Sequence, residues 1–302
     1  MPVHQSPLGA LPSRFKRERL LIIGCGDVGQ RVVRTQRHVR VLALTSSSAR
    51  VPALRAQGVT PIVGNLDTPA SLQRLAGWAT RVLHLAPPPL QGHTDPRTLA
   101  LIRLLMRRSA PRSVVYGSTS GVYGDCGGAW VSESRWVNPL TPRAQRRVDA
   151  EQRMRHLGRL RASAVRVLRI PGIYAPDREG GTPRERLLRG TPVLTQADDV
   201  FTNHIHADDL ARACQLALWR GQPQRTYNVS DDSQMRMGDY FDMAAGLYGL
   251  AKPPRISRAQ AQTELPAMQL SFMSESRRMV NTRMKRELRL QLRYPHVQAG
   301  LA

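Results

Sequence analysis

The stretch Leu20-Leu21-Ile22-Ile23-Gly24-Cys25-Gly26-Asp27-Val28-Gly29 decides how the rest of the chain is read. Four consecutive apolar residues suit a strand buried on both faces, and residues 30–36 can open a helix directly behind the glycines. In that order each glycine has its own use. Gly24 permits the tight turn, Gly26 lets a diphosphate approach the backbone, and Gly29 lets the helix pack against the strand. The anion then rests on the helix N-terminus, where Asp27 and Val28 complete the loop. The alternative is a strand-to-helix turn with incidental glycines; its place at the head of a strand-helix rhythm favours a dinucleotide site.

That rhythm continues outward. Further apolar runs at 39–45, 60–63, 82–86, 113–116 and 164–170 are separated by helical stretches, with leucines at three- and four-residue spacing in 69–77 and 98–109 and a third helix over 143–158. Beyond Ile170 the pattern loosens around Pro171, Pro176 and Pro183, with helices expected at 207–219, 238–249 and 276–288. The fold class that follows is α/β, a Rossmann doubly wound parallel sheet with a smaller, partly helical C-terminal substrate lobe. The expected division is a flexible basic arm over 1–19, an NAD(P)-binding domain over 20–170, and a substrate-side lobe over 171–302 whose chain interleaves with the first domain.

Composition narrows the function classes. At 302 residues and 41% hydrophobic, the chain is long enough to bury a substantial core. No run approaches the roughly 18 apolar residues of a membrane span, and 20–23 is too short for a signal segment, so a cytoplasmic protein without membrane partners is expected. Cys25, Cys126 and Cys214 are odd in number and lack ligand spacing, which points to neither a disulfide framework nor a metal. A net charge of +23 would draw nucleic acid at low salt. Yet Lys16, Lys252 and Lys285 are the only lysines, the arginines are spread along the whole chain, and no nucleic-acid-binding motif accompanies them. A nucleic-acid partner is therefore disfavoured.

The second strand ends in Thr45-Ser46-Ser47-Ser48-Ala49-Arg50, and no acid occurs between Asp27 and Asp67. NAD-selective folds place a carboxylate there for the ribose hydroxyls. Thr45, Ser46 and Arg50 would instead accept a 2′-phosphate, so NADP is the expected cofactor and NAD the alternative. The segment also reads as an ordinary polar loop with a solvated arginine.

Several later motifs carry a family resemblance: Gly64-Asn65-Leu66-Asp67, Leu85-Ala86-Pro87-Pro88, Ser118-Thr119-Ser120-Gly121-Val122-Tyr123-Gly124, Leu168-Arg169-Ile170-Pro171-Gly172-Ile173-Tyr174-Ala175-Pro176, Asn203-His204-Ile205-His206-Ala207-Asp208-Asp209-Leu210-Ala211 and Tyr227-Asn228-Val229-Ser230-Asp231. The chain resembles the extended short-chain dehydrogenase/reductases, the NAD-dependent epimerases and dehydratases. Its ending, with Tyr294-Pro295 and Gly300-Leu301, is most similar to the atypical YeeZ-like branch. The resemblance implies that Asn65 and Leu66 line the adenine, Leu85, Ala86 and Pro87 the ribose side, and Pro171, Ile173 and Tyr174 the nicotinamide. It puts the catalytic hydroxyl on Thr119.

The family's Tyr-x-x-x-Lys pair does not match, because Arg143 stands at the tyrosine and Arg147 at the lysine. A guanidinium stays protonated near neutral pH and cannot shuttle a proton. Arg147 could still hydrogen-bond the nicotinamide ribose, both arginines could clamp an acidic small-molecule substrate, or the two could form a solvated helix face. Tyr123, Tyr174, His204 and His206 are substitute proton donors to be tested against the structure, as are Glu133 and Asp149. Two readings then lead: an oxidoreductase acting on an alcohol or carbonyl carbon by hydride transfer without the usual pair, and a non-catalytic NADP(H)-binding sensor or scaffold. The resemblance also implies a homodimer through helices 98–109 and 143–158, where the arginines of the second would repel a symmetry mate unless acids intervene.

Overall fold

The computed structural model describes residues 18–36 and 38–302, save the side chains of 267, 268 and 272; all but the last two residues of the 1–19 arm lie outside the described residues. Seven parallel strands form the main sheet: β1 (Arg19–Ile23), β2 (Arg40–Thr45), β3 (Thr60–Val63), β4 (Arg81–His84), β5 (Ser113–Thr119), β6 (Ala164–Ile170) and β7 (Arg225–Asn228), in the order β3-β2-β1-β4-β5-β6-β7. The order reverses between β1 and β4, and the crevice beyond the strand ends at such a point is where this architecture takes ligands.

The alternation of side chains along β1 explains the two layers. Leu20 and Ile22 face one core with Val28 and Val32 of α1 (Asp27–Arg34), while Leu21 and Ile23 face the other. The short α2 (Val51–Ala56) adds Leu54 to the first core. The second core is closed by Leu101 and Leu105 of α3 (Pro96–Leu105) and by Ala150, Met154 and Leu157 of α4 (Pro142–Arg161). The first is closed by Leu210, Ala213 and Ala217 of α5 (Ala207–Arg220). A separate core joins Tyr174, Leu187, Val193, Phe241 and Leu301, together with Ala244 of α6 (Met237–Tyr248).

Three expectations need correction. The segment 69–77 is a 3-10 helix over Pro69–Leu75 rather than an α-helix. The helix expected at 276–288 is α7, which spans only Thr282–Leu288, because Arg278–Met279 pairs as a strand with Trp130–Val131. The seventh strand, β7, stands outside the expected set, since Arg225-Thr226-Tyr227-Asn228 lacks an apolar run and its polar groups are satisfied by side chains from elsewhere.

Part of the arginine excess is met by backbone carbonyls and aromatic rings. Arg166 donates to the Gly221 carbonyl, Arg161 to Met106 and Arg277 to Gly124, while the Arg81 guanidinium lies 3.7 Å from the Trp219 ring centroid. A planar fork of five donors suits both uses.

Candidate functional site

A cleft of about 240 Å³ opens where β1, β4, β5 and β6 end. Gly24, Gly26, Asp27, Val28 and Gly29 line it after β1, Leu85 after β4, Thr119 at the end of β5, Pro171 and Ile173 after β6, and Arg143 and Arg147 from α4. The structure thus brings together most of the residues singled out from sequence.

The glycine loop is shaped as its spacing demands. Gly24 has a φ of +84°, and a Cβ there would collide with the Ala86 nitrogen. This close approach lets the Leu85 and Ala86 amides both donate to the Ile23 carbonyl, at 2.7 and 3.0 Å. A Cβ at Gly29 would meet the Gly24 carbonyl at 3.3 Å, whereas one at Gly26 would meet nothing within 4 Å. The backbone at Gly26 therefore faces open space, as a ligand-binding turn requires.

The remaining sequence-selected residues lie outside the cleft walls. Thr45 hydrogen-bonds the Ser47 carbonyl at 3.1 Å, next to Ser46, and Arg50 donates to the Cys25 carbonyl at 2.6 Å, so the end of β2 is fastened to the glycine loop. Asn65 uses its Oδ1 locally, accepting from the Asp67 amide at 2.9 Å, with Leu66 buried in the second core. Asp67 pairs with Arg97 at 2.6 Å, and Arg97 reaches the Pro87 carbonyl at 3.2 Å.

Arg143 and Arg147 differ in environment. Arg147 donates to the Gly117 carbonyl at 2.8 Å and the Tyr116 hydroxyl at 3.1 Å. Arg143 makes no hydrogen bond among the described residues; desolvation and the neighbouring Arg147 and Arg146 charges push its pKa below the ordinary arginine value. The sequence left Arg143 and Arg147 open among a substrate clamp, a ribose contact from Arg147 and a solvated face. The structure turns both toward the cleft and ties Arg147 to β5.

None of the substitute proton donors lines the cleft. The Tyr123 hydroxyl donates to Asn228 Oδ1 at 2.7 Å in the core. Tyr174 is buried edge-on against His204 and His206. The pKa of His204 is driven down to about 4 by burial, which leaves the ring neutral at pH 7. His206 itself caps α5, its Nδ1 accepting from the Asp208 amide at 3.2 Å. Glu133 accepts from the Asn228 amide, and Asp149 pairs with Arg153. Among the described residues no phenol or imidazole lines the cleft.

Four lining residues were given no site role from sequence: Gly117, Ser118, Arg178 and Leu210. Ser118 donates to Glu151 Oε1 at 2.6 Å, and Glu151 forms a buried pair with Arg169 at 2.8 Å. Arg178 reaches Asp27 Oδ2 at 2.8 Å. The signal for it is Asp27 itself, since an acid in an anion-binding loop calls for a countercharge. Among the described residues no cluster of His, Cys, Asp and Glu is placed to hold a metal, and no helix is long and apolar enough to cross a membrane.

Comparison with known proteins agrees with this architecture. An uncharacterized protein of Mycobacterium bovis is 28% identical over 213 residues, covering 67% of this chain and 56% of that protein, so the chain spans little more than half the length of the curated relatives it matches. A functionally unknown conserved protein from Silicibacter pomeroyi superposes with a TM-score of 0.81 at 32% identity, over 94% of this chain and 96% of the other. UDP-glucose 4-epimerase from Thermotoga maritima, solved with UDP-glucose, has the same fold at 17% identity, with a TM-score of 0.78 and the same shares covered. Residues 20–230 match the NAD dependent epimerase/dehydratase family, and the chain belongs to it.

Proposed function

We propose that this protein binds a nicotinamide dinucleotide in the cytoplasm and acts as an oxidoreductase on an alcohol or carbonyl carbon, without the Tyr-Lys pair usual in its family. One observation carries the reading: a single cleft is lined by the glycine loop, by Thr119 and both arginines, and by Pro171 and Ile173. The residues fit a dinucleotide, because the backbone at Gly26 borders open space and Gly24 tolerates no side chain. Gly24, Gly26 and Gly29 would hold the diphosphate, Leu85 the ribose side, and Pro171 and Ile173 the nicotinamide. When bound, the cofactor supplies hydride transfer. Thr119 would hydrogen-bond the substrate oxygen and Arg143 would attract an acidic group on the substrate.

NADP is the preferred cofactor in this reading, supported by Arg50 beside the glycine loop and by the lack of an acid after β2. Assignment to the YeeZ-like branch belongs to the same proposal. It is supported by the way the C-terminal signature is used, with Tyr294 stacked 3.7 Å from His206 and Gly300 packed against Tyr174. A small-molecule substrate lodged between the sheet and the 171–302 lobe, and a homodimer through α3 and α4, complete it. Asp149 and Glu151 offset Arg153 and Arg155 on α4.

A non-catalytic NADP(H) sensor is favoured by a different observation: Arg147 is spent on the Gly117 carbonyl, and among the described residues no phenol stands in the cleft. Titration with NADPH and with NADH at near-physiological salt, followed by nicotinamide fluorescence, tests the shared part. Binding of neither ends both readings. Oxidation of bound NADPH by any member of a panel of aldehydes, ketones and keto acids selects the enzyme, and binding without turnover across that panel selects the sensor.

A further inference from the structure

The glycine loop carries an acid, Asp27, where a diphosphate is expected to lie. An unpaired carboxylate there would repel the ligand. The structure surrounds it with two arginines that differ in what they have left to give. Arg31 is saturated: its Nε meets Asp27 Oδ1 at 3.0 Å, one terminal nitrogen Asp208 at 2.5 Å and the other Asp177 at 2.6 Å. Those partners hold its guanidinium charge firmly, and it does not line the cleft. Arg178 is not saturated. Its Nη1 donates to Asp27 Oδ2 at 2.8 Å, it makes no other side-chain hydrogen bond among the described residues, and it lines the cleft beside Gly26.

Of the other arginines near the site, Arg50 does not line the cleft, Arg147 is bonded to the Gly117 carbonyl, and Arg143 enters it from α4 without a bond to the glycine loop. We infer that Arg178 is a ligand of the cofactor diphosphate, held ready at the glycine loop by Asp27. The loop after residue 174 is thereby a clasp, fixed to α1 at two points, Arg31–Asp177 and Arg178–Asp27. A guanidinium fork can keep one edge on Asp27 and present the other to a phosphate oxygen. This inference rests on the dinucleotide reading proposed above.

The alternative role for Arg178 is merely to neutralise Asp27, and the two roles separate in one comparison. NADH, NADPH and ADP-ribose are titrated against wild type, D27N and D27N/R178Q by calorimetry, with the thermal midpoint of each protein measured without nucleotide. The amide in D27N carries no charge to neutralise, and removing both partners together leaves no stranded ion. If Arg178 touches the diphosphate, D27N/R178Q binds all three ligands at least about tenfold more weakly than D27N, the scale of one lost charge-assisted hydrogen bond. Equal affinity of the two variants overturns the inference while leaving the dinucleotide reading intact. R178K, which keeps the charge and loses the fork, serves if the double variant does not fold: affinity equal to wild type rejects a bidentate ligand, and a several-fold loss supports it. A wild-type protein that binds none of the three ligands overturns the dinucleotide reading and this inference with it.

Discussion

Arg147 donates from Nη1 to the backbone carbonyl of Gly117 at 2.8 Å, which ties the middle of the cleft wall to the end of β5. The same nitrogen reaches the Tyr116 hydroxyl, in the buried core. A side chain at this position therefore has structural work besides any contact with ligand. R147A should lower unfolding stability by about 1.5–3 kcal/mol, the range for hydrogen bonds to a charged group. R147K should fall between that variant and wild type, because an ammonium lacks the planar fork. Urea unfolding curves of the three proteins check this; an R147A curve superimposed on wild type would show that the bond contributes nothing to stability.

Behind that wall, Glu151 and Arg169 are both almost fully buried, with 1% and 3% of their side chains exposed, and Ser118 and Arg155 also donate to Glu151. Removing one member strands the other ion away from water. E151A should cost about 3–5 kcal/mol, and the double variant E151L/R169M should recover much of that loss, since apolar replacement of a complete buried pair is often tolerated. Denaturant midpoints of both variants decide it: a double variant no more stable than E151A would mean that packing, rather than the stranded charge, sets the cost.

The parts of this molecule legible in sequence are those whose signal is local. Six sheet strands announce themselves as apolar runs, and Gly24, Gly26 and Gly29 reveal their loop because each has a backbone requirement that spacing alone expresses. β7 does not, since Thr226 and Asn228 are buried by virtue of partners such as Arg155, Glu133 and the Val131 carbonyl, distant in the chain. Arg178 is hidden for the same reason: it meets Asp27 across 151 residues. Arg147 is visible as an anomaly, but its direction is not, because a long guanidinium side chain serves solvent, ligand or a carbonyl equally well until the carbonyl's position is known. His206 likewise reads as a proton donor in sequence and is a helix cap in the fold.

Two glycines of one loop should respond differently to the same substitution. G24A forces a side chain into a φ of +84° and drives its Cβ into the Ala86 nitrogen, so the junction of β1 and β4 must shift. It should lose both thermal stability and dinucleotide binding. G26A meets no atom of the protein within 4 Å. It should melt within about 2 °C of wild type, consistent with an effect near 0.5 kcal/mol or less, yet lose NADPH and NADH affinity by tenfold or more as the methyl occupies the diphosphate's approach. Paired melting and titration experiments check both, and a G26A protein that binds like wild type would place the diphosphate somewhere else.

Asp231 gives the fold a pH dependence of predictable sign. Burial pushes its carboxyl up from 3.8 to about 7, although the Ser233 amide at 2.9 Å favours the ionised form; its other oxygen has no hydrogen-bond partner among the described residues. Between those two values the folded chain holds a proton that the unfolded chain has released. Stability must therefore fall as pH rises through that window and level off above about 7, because the folded state then carries a buried, poorly compensated charge. Asparagine at this position keeps the acceptor for Ser233 and removes the titration. D231N should accordingly gain stability over wild type progressively from about pH 4.5 to about pH 8, with little difference at the acid end. Thermal midpoints of both proteins at the two ends of that range and midway between them measure the trend. A difference that stays constant with pH would mean that Asp231 is ionised in the folded chain throughout, its charge met by a partner the burial argument leaves out.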